Sequence, residues 1–263
     1  MKKDTYGKFH LYLQDGAVEP SVLIGAFLKA DVLEGKGRGS IKVLTVDGKR
    51  IVCRKYIHGG LLRGFTKDYF FSGKRAIKEL EIIFYLKKAG FPVVEPYGAI
   101  IETHGAMKIP YLLTVFEEDA ISLLDFFSKA EPVTRSKIIK TLAGHMYDLE
   151  RFGVYHPDLH LNNILIALIA HNNDMKFLDF DKARIGSITK KDMVRMFWRL
   201  NRYVEKMARK GYAGISIKEK ILFLRSYEEL SGHDMLSEME KHMKSRGWLD
   251  KTGWSLDSIF YGK

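Results

Sequence analysis

The sequence holds one cysteine, Cys53, so no disulfide can close within the chain and a thiolate zinc site has no ligand set. A reducing compartment is the expected setting, and the cytoplasm fits it best. Long apolar runs are also missing. The longest, residues 164–170, is far short of the ~20 residues that a membrane-spanning helix needs, and it reads as a buried strand. Residues 1–13 scatter charged and polar side chains and lack the apolar stretch and cleavage site of a signal peptide, so they are expected to stay attached. Neither an internal repeat nor a low-complexity linker is visible, which leaves periodicity and turn signals to define the organisation.

Acidic side chains are scarce relative to basic ones: 32 Asp and Glu face 43 Lys and Arg, a net charge of +11. That excess implies an anionic partner such as nucleic acid, anionic lipid, a membrane surface or a phosphorylated sugar, and charge alone does not choose among them. For any single basic cluster the competing explanation is a solvated, solubilising surface. The hydrophobic fraction of 46% and charged fraction of 29% belong to a chain that folds, and exclude general disorder. At 263 residues it suits one bilobal unit with a core in each lobe.

Residues 40–46 alternate in apolar character, Asp47-Gly48 is a strong hairpin turn, and residues 49–56 are rich in β-branched side chains, which predicts a hairpin. Ile77, Leu80, Ile82, Ile83, Tyr85 and Leu86 recur at helical spacing over residues 74–89, ahead of Gly90 and Pro92, and predict a helix with one buried face. Strands are expected at 97–102 and 111–116, and the acidic group at 117–119 marks a lobe boundary near residue 118. A short helix at 122–127 and a long one at 134–152, closed by Gly153, come next. Two short strands, 163–170 and 175–180, follow with a polar turn between them, and everything after 188 reads as helix. The expected fold is therefore α+β and bilobal. Residues 1–118 form a β-rich lobe with one helix, and residues 119–263 a mainly helical lobe.

The most informative stretch runs from His156 through Asp158 and Leu159 to Asn163. It reproduces the kinase pattern of His, any residue, Asp-Leu, three residues, Asn. Phosphoryl transfer needs a carboxylate to orient or deprotonate the attacking hydroxyl and an amide oxygen on the same loop to hold a metal. Asp158 and Asn163 are the candidates for these roles. Asp179, in Phe177-Leu178-Asp179-Phe180-Asp181 after an apolar strand, stands where a kinase keeps its Mg²⁺-binding aspartate. Either motif alone is more often an ordinary loop. In this order, separated by one hairpin and placed after a long helix, they point to an ATP- and Mg²⁺-dependent protein-kinase-like fold.

Upstream, Gly35, Gly37 and Gly39 precede the first hairpin strand, where a bare backbone can approach phosphates closely. Glu79, in the helix, is placed to pair with a cation on the second strand, with Glu81 as competitor. That cation is Arg54 or Lys55, because neighbouring strand residues face opposite ways and only one can point at the phosphates. Lys55 shares a face with Cys53, imitating the small residue two positions before the lysine of Val-Ala-Ile-Lys.

Two segments carry a family resemblance: Arg54-Lys55-Tyr56-Ile57-His58-Gly59-Gly60-Leu61, and Gly153-Val154-Tyr155-His156-Pro157-Asp158-Leu159. They resemble the lipopolysaccharide kinases, in particular the Kdo kinases, over residues 35–184. Asp68-Tyr69, Gly73, Arg75, Glu79, Gly90-Phe91-Pro92-Val93 and Asp179-Phe180-Asp181 belong to the same likeness. It favours Arg54 over Lys55. It implies transfer of the γ-phosphoryl group of ATP to a hydroxyl of Kdo, the acidic sugar between lipid A and the core, on a lipid-linked acceptor. The implied location is the cytoplasmic face of the inner membrane, where the +11 charge would meet anionic lipid. Pro157 and His160 depart from the family pattern without removing a catalytic group. Asp181 replaces the glycine of protein kinases, and no Ala-Pro-Glu follows Arg184, which argues against a regulated protein kinase. An atypical protein kinase, an aminoglycoside-type phosphotransferase and a nucleotide-binding pseudokinase are the rival readings. The helices after Arg184 resemble no known pattern, and Met193, Met196 and Met207 are expected to pack in a core.

Overall fold

A computed structural model describes residues 1–34, 40–58, 68–167, 174–212 and 214–246. The glycines at 35, 37 and 39, the Gly59-Gly60 pair and the turn at 171–173 lie outside the described residues. The chain divides into two compact units, one of Met1–Ser122 with Asn163–Ala183, the other of Leu123–Asn162 with Arg184–Lys263.

The first unit is built on a seven-stranded antiparallel sheet. Its strands are β1 (Lys2–Tyr6), β2 (Phe9–Leu13), β3 (Val32–Glu34), β4 (Ser40–Val46), β5 (Lys49–Lys55), β6 (Pro96–His104) and β7 (Met107–Val115), in the spatial order β1-β2-β6-β7-β5-β4-β3. Among the described residues two helices, α1 (Pro20–Lys29) and α2 (Lys74–Lys88), accompany it. The β4–β5 hairpin turns at Asp47 and Gly48 with φ of 49° and 72°, the doubly left-handed turn whose twist suits a two-residue hairpin. Along β5 the side chains of Ile51 and Cys53 are buried. They join Phe9, Leu11 and Leu13 of β2 and Leu23, Ile24 and Phe27 of α1 in one core cluster. Phe27 meets Phe9 and Tyr111 edge to face at 5.8 and 5.0 Å. Burial pushes the Cys53 thiol up to about 12, so this cysteine is a packing residue and not a nucleophile. Ala76, Leu80, Ile82, Ile83 and Leu86 form the buried stripe of α2, and Glu79 lies within it.

A second sheet of this unit has the order β11-β10-β8, with β8 at Ala120–Ser122, β10 at Ile164–Ala167 and β11 at Met175–Phe177. The expected lobe boundary near 118 thus falls at 122, and the segment 163–183, expected in the helical lobe, belongs to the first unit. Backbone bonding explains it. β10 pairs with β8, Phe177 N–H donates to the Pro92 carbonyl at 2.9 Å, and Val94 N–H donates to the Phe177 carbonyl at 3.3 Å.

The second unit contains α3 (Leu123–Phe127), α4 (Pro132–Arg151), α5 (Lys190–Ala208), α6 (Ile217–Ser231) and α7 (Met235–Arg246), with the paired short strands β9 (Val154–Tyr155) and β12 (Arg184–Ile185). α5 and α6 each start on a capping box, Thr189 with Asp192 and Ser216 with Glu219, which satisfies end-of-helix N–H groups reciprocally. Ile138, Ile139, Leu142, Met146 and Leu149 of α4 are buried, as are Met193, Met196, Phe197, Leu200 and Met207 of α5. The methionines are core residues, as expected. Tyr227 of α6 is fully buried, meets Phe197 edge to face at 4.8 Å and donates to Glu150 at 2.6 Å.

Candidate active site

Each unit carries one group of the residues singled out by sequence. In the first unit, β5 holds Arg54 and Lys55 next to each other, and strand alternation sends them to different partners. Arg54 Nη2 donates to both carboxylate oxygens of Glu79, at 2.7 and 2.6 Å, and its Nη1 lies 3.2 Å from Asp179 Oδ1. Lys55 pairs with Asp68 instead. Arg54 is therefore the strand cation that meets the helix glutamate, and the exposed Glu81 is no competitor. The Tyr56 hydroxyl also donates to Glu79, whose side chain is fully buried.

Burial raises the Glu79 carboxyl above its ordinary range, with Arg54 pulling the other way and Asp179 adding to the rise. For Arg54 burial works against the charge, but Glu79, with help from Tyr56 and Asp179, outweighs it and the guanidinium is held more firmly protonated than usual. The result is a fixed cation between two carboxylates. Nη2 on Glu79 and Nη1 on Asp179 use two nitrogens of one planar group, which fixes direction as well as charge, and the single nitrogen of a lysine could not do this.

Asp179 has a φ of 61°, a left-handed conformation shared among the described non-glycine residues only with Asp47 and Asp119. Such backbone costs about 1 kcal/mol or more and persists where the surroundings enforce it. Here Phe180 is fully buried immediately after it, and Ala183 N–H closes a turn on the Phe180 carbonyl at 2.9 Å. Asp181 forms a two-pronged pair with Arg75, whose guanidinium also lies 5.3 Å from the centre of the Tyr56 ring. The acidic residue in place of the kinase glycine thus ties this turn to α2. Asn163 is buried at 7% exposure, and its carbonyl accepts from Leu178 N–H at 2.9 Å. Asn163 and Asp179 accordingly stand at the same end of the β10–β11 hairpin.

In the second unit, α4 ends at Arg151 and Gly153 reverses the chain into β9 with a φ of 66°. A Cβ on Gly153 would stand 2.6 Å from the Gly186 carbonyl oxygen, whose own N–H donates to the Gly153 carbonyl at 2.8 Å. Gly153→Ala should therefore lower stability by about 2 kcal/mol, from strain and overpacking together, read as a lower urea unfolding midpoint. An unchanged midpoint would show that the β9–β12 pairing tolerates a side chain there. Beyond β9, His156 and Leu159 are buried and anchor the loop on both sides of Asp158. Asp158 is one-third exposed and ion-paired with Arg199 of α5. One turn further along α5, Tyr203 stacks on the His160 ring, centroids 4.4 Å apart and planes 13° from parallel.

Sequence reasoning did not find Arg199, Tyr203 or the Arg75–Asp181 pairing. The i, i+4 spacing of Arg199 and Tyr203 was the available signal, and it becomes meaningful only once α5 lies beside the catalytic loop. The glycines proposed for phosphate contact lie outside the described residues. No group of three or more His, Cys, Asp or Glu side chains suited to a metal occurs among the described residues. Mg²⁺ does not require one, since it is bound by one or two oxygen ligands together with phosphates and water. An amide oxygen and a carboxylate, Asn163 and Asp179, match that demand in chemistry.

The antiparallel sheet with its inward-pairing helix glutamate, together with the loop and hairpin aspartates, defines a phosphotransferase of the protein-kinase-like fold class. The model of the "Lipopolysaccharide kinase (Kdo/WaaP) family" matches residues 28–227, and the chain belongs to that family. A 3-deoxy-D-manno-octulosonic acid kinase of Mannheimia succiniciproducens is 31% identical over 182 residues, covering 62% of this chain and 72% of the relative. One from Vibrio cholerae is 27% identical over 176 residues, covering 65% and 72%. Among solved structures, WaaP in complex with acyl carrier protein matches with a TM-score of 0.60 at 15% identity, over 89% of this chain and 98% of that one. The protein is thus a kinase, a transferase with an alcohol group as acceptor, and membership implies ATP as the donor.

Proposed function

We propose that this kinase phosphorylates a hydroxyl of the octulosonic acid sugar of the lipopolysaccharide inner core, carried on a lipid A-type acceptor. Its curated relatives are named for that sugar. The observation that carries the catalytic assignment is the Arg54 fork held between Glu79 and Asp179. In this reading Arg54 positions the nucleotide phosphates. Asn163 and Asp179 are the residues that would hold Mg²⁺, and the ion would supply positive charge to offset that of the phosphoryl group being transferred. The acceptor oxygen attacks the γ-phosphorus, a P–O bond forms, the bond to ADP breaks, and Asp158 receives the hydroxyl proton. Catalysis of this kind is positioning and electrostatics, so the protein contributes fixed charges and no covalent chemistry.

No helix among the described residues is long and apolar enough to cross a membrane. With a net charge of +11, we place the working protein peripherally on the anionic cytoplasmic face of the inner membrane. The test is ATP-dependent phosphate transfer to a Kdo-bearing lipid A precursor, free Kdo, a generic protein and an aminoglycoside, each offered with and without anionic vesicles. Transfer to the lipid-linked sugar, faster on vesicles at low salt than at high salt, is expected. Transfer to protein or aminoglycoside alone would overturn the acceptor assignment, and a rate indifferent to vesicles and salt would overturn the membrane assignment.

A further inference from the structure

The ion pair between Asp158 and Arg199 is hard to explain as a device for proton removal. Accepting a hydroxyl proton takes a carboxylate and needs no cation beside it. The arginine therefore needs another use. Its place is well defined: α5 presents Arg199 to Asp158 and Tyr203 to His160, two contacts with the catalytic loop from one helix face. Only Nη2 of Arg199 is engaged by Asp158, and Nε is buried with no hydrogen-bond acceptor among the described residues. The side chain is nevertheless 42% exposed, so with Nε buried it is the Nη end of the fork that is open to a ligand.

Arg199 also belongs to a stripe. Arg195, Arg199, Arg202 and Lys206 follow one another at intervals of four, three and four residues along α5, which places them on one face. Arg195, Arg202 and Lys206 are exposed. Arg202 and Lys206 make no ion pair among the described residues, and Arg195 reaches only Asp192, at 3.7 Å. On the opposite side the helix is apolar, with Met193, Met196, Phe197 and Leu200 buried. Asp158 meets this positive face at Arg199, with Arg195 on one side along the helix and Arg202 and Lys206 on the other.

We propose that Arg199 is a specificity residue for an acidic acceptor: its remaining Nη N–H groups bind the carboxylate of the sugar whose hydroxyl lies at Asp158, and the stripe on either side of it receives further anionic groups of the same acceptor. This rests on the acceptor reading given above, and adds which side chain selects the acid. An octulosonic acid carries a carboxylate at neutral pH, which Asp158 would otherwise repel. A guanidinium that touches Asp158 offsets that like-charge cost at the one place where it arises, and its planar fork fits a carboxylate better than an ammonium does.

The experiment compares two acceptors, a Kdo-bearing lipid A precursor and the same molecule with the sugar carboxylate converted to a carboxamide, on wild type, Arg199→Gln and Arg199→Lys. Wild type should prefer the acid in kcat/KM by roughly 100-fold, the scale of a lost charge-assisted pair. Arg199→Gln should lose roughly that factor on the acid and less than about threefold on the amide, with Arg199→Lys between them and the KM for ATP unmoved. Equal losses on both acceptors would make Arg199 a mere support for Asp158 and overturn the proposal. So would a wild type that does not distinguish acid from amide, a result that needs no variant to fold. Absence of any transfer by wild type to the acid is a separate outcome: it removes the acceptor reading itself, and this inference with it.

Discussion

Asp158→Asn should reduce kcat for phosphoryl transfer by about a thousandfold, within the 10²–10⁴ range of a lost general base, while leaving the KM for ATP within about twofold. The asparagine keeps the shape and one acceptor oxygen of the side chain but cannot take the hydroxyl proton. His156 and Leu159, buried on either side, hold the loop independently of residue 158, so the geometry should survive. Arg199 loses its counter-charge, yet at 42% exposure it is reached by water, and the stability cost should stay below about 1 kcal/mol. Single-turnover kinetics with saturating ATP, set beside a urea unfolding curve, separates these effects. Near-normal turnover would remove Asp158 from the chemistry. A collapse of the unfolding midpoint would make the ion pair structural instead.

How much of this was legible without coordinates differs between elements for physical reasons. The β4–β5 hairpin and α2 were readable because their signals are local: an Asp-Gly turn that needs two left-handed residues, and apolar side chains at helical spacing ended by Gly90. The pair of loop and hairpin aspartates was readable because the chemistry fixes residue types at short separations. Residues 1–34 were left without assigned structure, although β1, β2 and α1 lie there. β1 is largely exposed and shows no apolar alternation, and it exists because β2 pairs with it. The transfer of 163–183 to the first unit depends on β8 and on Pro92 and Val94, contacts across more than forty residues that no window along the chain contains. The choice between Arg54 and Lys55 was undecidable from alternation alone. It is settled by which strand face looks toward Glu79, a tertiary fact. Arg199 was invisible for the same reason.

The Arg54–Glu79 pair makes a second prediction with large effects on both stability and activity. Glu79→Ala removes the acceptor of Arg54 Nη2, which donates to both carboxylate oxygens, and of the Tyr56 hydroxyl at a fully buried point. Breaking a buried pair by deleting one partner costs about 3–5 kcal/mol, and since Arg54 keeps 30% exposure the lower end is expected. Arg54 would then turn to its remaining neighbour, Asp179, 3.2 Å away, and occupy the carboxylate assigned to the metal. The KM for ATP should rise by about tenfold or more and the required Mg²⁺ concentration should rise with it. An isosteric apolar replacement of both partners, Arg54→Met with Glu79→Leu, separates the two roles. Buried ion pairs are often replaceable by hydrophobic side chains without loss of stability, so the double variant should recover much of the unfolding free energy, less what the orphaned Tyr56 hydroxyl costs. It should recover none of the activity, because the phosphate-positioning cation is gone. A double variant that is both stable and active would show that Arg54 and Glu79 serve the fold alone, and that nucleotide phosphates are positioned by other groups.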